Sequence, residues 1–217
     1  MSPAGWAWVA LLLYLAGLVL AFGVRSWLQI RRTGTSGFRG ISGRAGSPAW
    51  WGGVLFPIAL LLGLVAPVLV LACSAAPELP AQPALAAVGL SLGLAGLVVV
   101  LHAQAAMGSS WRIGVDDTER TELIRSGLFR WIRNPIFTGI AAVCAGVALM
   151  APTPVAVLAL ACLIAAVQIQ VRVVEEPYLR RVHGDTYTQY AVRTGRFLPG
   201  LGRTRAAGAK ARTDTGA

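Results

Sequence analysis

The sequence predicts an all-α fold, an integral membrane bundle of about five transmembrane helices, and three observations carry that prediction. Of the 217 residues, 56% are hydrophobic and only 13% charged. Charge-free runs recur along the chain: residues 1–24, Ala45–Pro77, Leu79–Trp111 (apart from His102) and Asn134–Val171. No aqueous fold needs runs of that length. The runs are also continuously apolar where barrel strands would alternate, so only helices can satisfy the backbone inside a bilayer.

The first span is read over Gly5–Val24, with Trp6 and Trp8 as interfacial anchors at its start and Trp27 at its far end. Its basic residues follow the apolar run, the reverse of a cleavable signal peptide, so it reads as an uncleaved helix. Residues 33–48 (TGTSGFRGISGRAGSP) form a Gly/Ser-rich connection with little reason to order strongly. The second span, Trp50–Cys73, opens on another aromatic anchor, and the third covers Ala84–Met107. The next connection mixes Asp116, Asp117, Glu119 and Glu122 with arginines, and Leu123, Ile124, Leu128 and Phe129 give it enough apolar content to fold against something.

The 38 uncharged residues Asn134–Val171 exceed one span and are broken by Pro152-Thr153-Pro154. They read as two helices, Pro135–Ala151 and Pro154–Val174, joined by a tight turn. A tyrosine-bearing segment, Tyr178–Phe197, follows, and no internal repeat is visible. The chain thus divides into three N-terminal spans (1–107), a core of connection, hairpin and C-terminal helix (108–200), and a basic tail (201–217) expected to be disordered.

Charge sets the expected topology. All nineteen Lys and Arg fall in the first connection (five), the third (five), or the end of the last span and the tail (nine). The second connection holds only Glu78, and the fourth no charge at all. The positive-inside rule puts the N-terminus outside and the tail in the cytoplasm, as expected of a multi-pass plasma-membrane protein. The net charge of +10 is therefore a topology signal with the lipid bilayer as partner, and no nucleic-acid partner is expected. Cys73, Cys144 and Cys162 read as small residues in or beside apolar spans, His102 as a packed core residue and His183 as a solvated one. No His/Cys/carboxylate set has metal-ligand spacing, and neither a serine-centred elbow nor a Gly-x-Gly-x-x-Gly loop occurs.

The hairpin makes the functional argument. At 1.5 Å per residue its arms span about 25 and about 31 Å, so Arg133-Asn134 and Glu175-Glu176 return to similar depth. Asn134 is a favoured N-cap and Pro135 a favoured first residue, and a helix N-terminus there suits an anionic or carboxylate group. Glu175 and Glu176 sit against the macrodipole at a helix C-terminus. One of them reads as a solvated helix end. For Glu175 a partner is expected: Arg133, Arg172 or a cationic ligand.

These residues bring a family into view. The segment Thr121–Phe137 (TELIRSGLFRWIRNPIF) resembles the isoprenylcysteine carboxyl methyltransferase and phospholipid methyltransferase superfamily, whose signature is a Leu-Val pair, a Gly-x-Tyr turn and Arg-His-Pro-x-Tyr. Glu175-Glu176-Pro177-Tyr178-Leu179, His183-Gly184-Asp185-Thr186-Tyr187-Thr188-Gln189-Tyr190, Arg193 and Phe197-Leu198-Pro199 look like its second block, and Met107–Arg112 like its upstream segment. The resemblance covers about residues 100–200. It implies S-adenosylmethionine as methyl donor at the cytoplasmic ends of the last two helices. Cofactor contacts would fall on Thr121, Glu122, Leu123, Ile124, Phe129, Asn134, Pro135, Phe137 and Glu175. Phe129 and Phe137 stand where the family has tyrosines, and Asn134 where it has His. Val171 stands where the family has a substrate-side arginine, which makes Arg172 the nearest candidate.

The expected activity is methyl transfer to a lipophilic small molecule or lipid-like acceptor through a carboxylate, amine or hydroxyl. Arg133 and Arg172 would orient an anionic substrate or the cofactor carboxylate, and Glu175 or Glu176 would deprotonate an amine or hydroxyl. Two alternatives stand beside it: a steroid-reductase-like enzyme using NADPH, and a non-catalytic lipid-binding membrane protein. Sequences of the first kind carry Gly-Glu after the aromatic, where this chain has Gly139-Ile140.

Overall fold

A computed structural model describes residues 1–38, 40–72, 82–111 and 122–204. Five helices make up the described fold: α1 (Pro3–Thr33), α2 (Pro48–Ala72), α3 (Pro83–Met107), α4 (Pro135–Met150) and α5 (Pro154–Arg193). All but α4 are long and apolar enough to cross a membrane. Each begins with a proline, whose missing N–H would have no partner in a first turn anyway. Ser2 and Thr153 complete the starts of α1 and α5 by accepting from Gly5 N and Ala156 N.

Small residues set the helix spacing. At the α3–α4 crossing a Cβ on Gly96 would lie 2.6 Å from Gly139 O, and one on Gly89 2.6 Å from Gly146 O. The two backbones therefore meet directly, the close approach that small residues allow between membrane helices. On α2, a Cβ at Gly52 would lie 2.9 Å from Ile169 Cγ2, so that glycine lets α5 close in. Gly63 clears the ring of Tyr14, whose hydroxyl donates to Leu60 O at 2.7 Å and ties α1 to α2.

Helix ends depart from expectation in two places. The first helix does not stop at Val24 but continues through a π-helical segment, Val19–Val24, to Thr33. Within that segment the carbonyl of Ala21 accepts from Gln104 Nε2, 2.8 Å away. The continuation buries Arg25, which donates to Gly108 O and stacks its guanidinium 4.9 Å from the Trp111 ring centroid. A buried arginine with a carbonyl and an aromatic face to meet no longer marks the membrane boundary.

Likewise α5 does not end near Val174. It passes through a second π segment, Gln170–Glu175, to Arg193, with a break at Gly184 (φ 52°). Its 40 residues are about twice the roughly 20 that one crossing needs.

In the Gly/Ser-rich connection, Gly34, Gly37, Gly40, Gly43 and Gly46 all have φ between 76° and 86°. The spacing of three is a short repeat. Gly37 lies flat on Trp111, where a Cβ would come 3.1 Å from the ring. Leu201–Thr204, assigned by composition to a disordered tail, are held by hydrogen bonds: Arg196 N donates to Leu201 O (2.7 Å) and Thr204 N to Ala191 O (3.1 Å). Residues 205–217, Thr121, Cys73 and the acidic residues of the two masked connections (Glu78, Asp116, Asp117, Glu119) lie outside the described residues.

Candidate active site

The α4–α5 turn at Ala151–Thr153 sends both polar clusters to the opposite end of the bundle, where they meet. Arg133 Nη2 lies 3.0 Å from Glu176 Oε1, with both side chains buried. Arg196 reaches the same carboxylate in a fork, Nε to Oε1 at 2.6 Å and Nη2 to Oε2 at 3.0 Å. Arg180 stands further out, at 3.7 Å. The Glu176 hydrogen bond holds the Arg196 guanidinium above its usual pKa, against the lowering effect of burial. Arg133 also donates to Ala191 O (3.2 Å) and Gly202 O (3.0 Å). A buried carboxylate shared by two arginines, with carbonyls taking further guanidinium donors, is the arrangement that makes ion burial tolerable.

Arg133, one of the partners expected for Glu175, pairs with Glu176, which is buried. Glu175 is half-buried, sits at the end of the π segment and lines a cavity of about 480 Å³. The π segment carries the difference, because widening the helix turns the following residues relative to a plain α-helix.

The cavity collects the expected residues from both clusters. Glu122, Leu123, Ile124, Phe129, Arg133, Asn134, Pro135, Phe137, Glu175 and Glu176 all line it. Thr121 is outside the described residues. Arg172 is not brought there: it is exposed, and its Nε donates to Gln168 Oε1 at 2.7 Å. The position that faces inward is the buried Val171.

At the start of α4, Asn134 occupies the cap position but its side chain makes no cap bond. Its Nδ2 and its backbone N both donate to Arg196 O, at 3.0 and 3.1 Å. Pro135 has no N–H. Of the first-turn donors that a helix cannot pair internally, those of Ile136 and Phe137 remain, and both residues line the cavity. Phe129 is fixed from behind, its carbonyl accepting from Tyr190 OH at 2.5 Å.

Further lining comes from the N-terminal half of the chain. Phe22 of α1 and Phe56 of α2 pack edge to face with centroids 6.4 Å apart, and Phe56 packs likewise on Phe137 at 6.1 Å. Phe38 and Ile41 of the glycine-rich connection complete it. Ile41 seats against Gly53, where a Cβ would come 2.5 Å from its Cγ2. Gln104, Gln170 and Trp111 also line the cavity.

Sequence reasoning assigned no role to Arg196, Gln104, Phe22 or Phe56. The tyrosines had a signal, since Tyr187 and Tyr190 are three apart on one helical face and both line the cavity, with ring centroids 6.2 Å apart. Arg196 had none, because it reaches Glu176 only by the fold-back of the chain after α5.

No curated protein matches the chain. Residues 85–186, which carry nearly all of α3, the whole of α4 and α5 to beyond its π segment, match the phospholipid methyltransferase family, a branch of the isoprenylcysteine/phospholipid methyltransferase membrane superfamily.

Proposed function

We propose that the protein is an integral membrane methyltransferase that takes its methyl group from S-adenosylmethionine and passes it to a lipophilic or lipid-like acceptor. The family match supports the coarser reading, a membrane methyltransferase acting on lipid-like substrates. One observation carries the finer one: a single cavity is lined both by the described cofactor-candidate residues and by the aromatic side chains Phe22, Phe38 and Phe56. Its volume of about 480 Å³ is in the range of small-molecule and cofactor sites, roughly 300–1,000 Å³.

The residues present suit that cofactor. A sulfonium and an ammonium group call for carboxylates, which Glu122 and Glu175 supply. A cofactor carboxylate calls for N–H donors, which the first turn of α4 offers at Ile136 and Phe137. An aromatic ring system calls for apolar and aromatic surface, which Phe129, Leu123 and Ile124 provide.

S-adenosylmethionine supplies an activated methyl on sulfur, displaced in line by the acceptor. The protein's part is alignment and exclusion of water. Phe22, Phe56 and Phe137 form a dry surface for the acceptor's apolar body, and the first turn of α4 together with Glu175 orients the cofactor. An acceptor carboxylate needs no base. For an amine or hydroxyl, Glu175 and Glu122, both on the cavity lining, are the candidate bases. The acceptor enters from the bilayer and the cofactor from the aqueous side, and the charge distribution supports reading that side as cytoplasmic.

The test is incubation of purified protein with host lipid extract and isotope-labelled S-adenosylmethionine, followed by mass spectrometry. A labelled lipid-soluble product is expected. Stabilisation of the protein by NADPH, with none by S-adenosylmethionine, would favour a reductase instead.

A further inference from the structure

The segment after α5 lines no part of the cavity, yet it holds the cavity's wall from behind. Gly195 O accepts from Arg133 N at 2.8 Å, and Phe197 O from Thr138 Oγ1 at 2.7 Å. Between them, Arg196 O takes both the backbone and side-chain N–H of Asn134. Ile132 and Gly195 pair as a short parallel bridge. The turn is tight: a Cβ on Gly195 would come 2.9 Å from Gly200 N and Leu201 O. The Arg196 side chain then forks onto Glu176, which also binds Arg133. One buried carboxylate thus joins the loop before α4, the second half of α5 and the returning chain.

Resting on the cofactor reading above, we propose that Thr194–Thr204 is a clasp, with Arg196 as its positioning residue. The Arg196 side chain acts through Glu176, while its carbonyl holds Asn134 and Gly195 O holds the Arg133 backbone. With the side chain locking the segment in place, the clasp holds the Gly127–Asn134 loop and the first turn of α4 in the shape that receives the cofactor. A bidentate guanidinium–carboxylate pair suits this task because it constrains orientation as well as distance. Lysine offers a point charge without the fork and restores only part of the constraint.

The test compares Arg196→Ala, Arg196→Lys and, as a charge control in the same segment, the exposed Arg203→Ala. Hydrogen–deuterium exchange is followed in peptides covering residues 127–138 and in α3, and S-adenosylmethionine affinity is measured by titration. Arg196→Ala is expected to speed exchange over 127–138 while leaving α3 unchanged, and to weaken binding by about tenfold or more. Arg196→Lys should fall between it and the unaltered protein, and Arg203→Ala should match the unaltered protein. Unchanged exchange over 127–138, or a uniform rise in every helix, would overturn the clasp. So would local loosening with unaltered affinity. If the unaltered protein binds no S-adenosylmethionine, the cofactor reading falls separately, and the exchange pattern alone decides whether Arg196 positions the loop.

Discussion

Glu176 Oε1 accepts from Arg133 Nη2 at 3.0 Å, with the two side chains only 6% and 2% exposed. These residues stand 43 positions apart, on either side of the helical hairpin, and their contact joins its two polar clusters. Removing the carboxylate leaves Arg133 buried and unpaired. Glu176→Ala should therefore destabilise the protein by about 3–5 kcal/mol, read as a lower unfolding temperature in detergent or nanodiscs.

Its neighbour is tested by binding. Glu175 is half-buried and lines the cavity. Glu175→Gln keeps the shape and removes the charge, and should weaken S-adenosylmethionine binding by about tenfold or more. An affinity that the substitution leaves unaltered would remove Glu175 from the cofactor site.

Arg172→Ala should change neither property by more than about 0.5 kcal/mol, since the side chain is exposed and bonded to Gln168. A marked loss of acceptor turnover in this variant would restore Arg172 to the substrate side of the site.

The helix crossing offers a stability test remote from the chemistry. Gly96→Val places branched carbons where even a Cβ would lie 2.6 Å from Gly139 O. The nearest atom is backbone and cannot yield, so the cost should reach about 1–3 kcal/mol or more. Thermal unfolding measures it, and tolerance of the valine would mean that α3 and α4 sit further apart.

Much of the fold was legible because hydropathy and proline placement are local signals. Pro135 and Pro154 mark their helix starts within the chain's own code, and the Pro152–Pro154 break forces a hairpin that carries Arg133 towards the glutamates. The two π segments were not legible. They depend on tertiary partners, Gln104 for Ala21 in the first case, and in the second the phase change that buries Glu176 and leaves Arg172 outside. The continuation of α1 past Val24 was hidden for a similar reason: Arg25 reads as a membrane boundary until Gly108 and Trp111 are in place around it. Arg196 was invisible because it acts through a fold-back with no periodicity. The glycine spacing from Gly34 to Gly46 was present in the sequence, and composition alone made it look like a loose linker.

The central claim is that one cavity between the two polar clusters binds S-adenosylmethionine. Titration calorimetry of the purified protein with S-adenosylmethionine tests it most directly, with Glu175→Gln measured alongside. The account predicts saturable one-site binding that the substitution weakens by about tenfold or more. Absence of binding to folded protein, or binding that Glu175→Gln leaves unaltered, would contradict it.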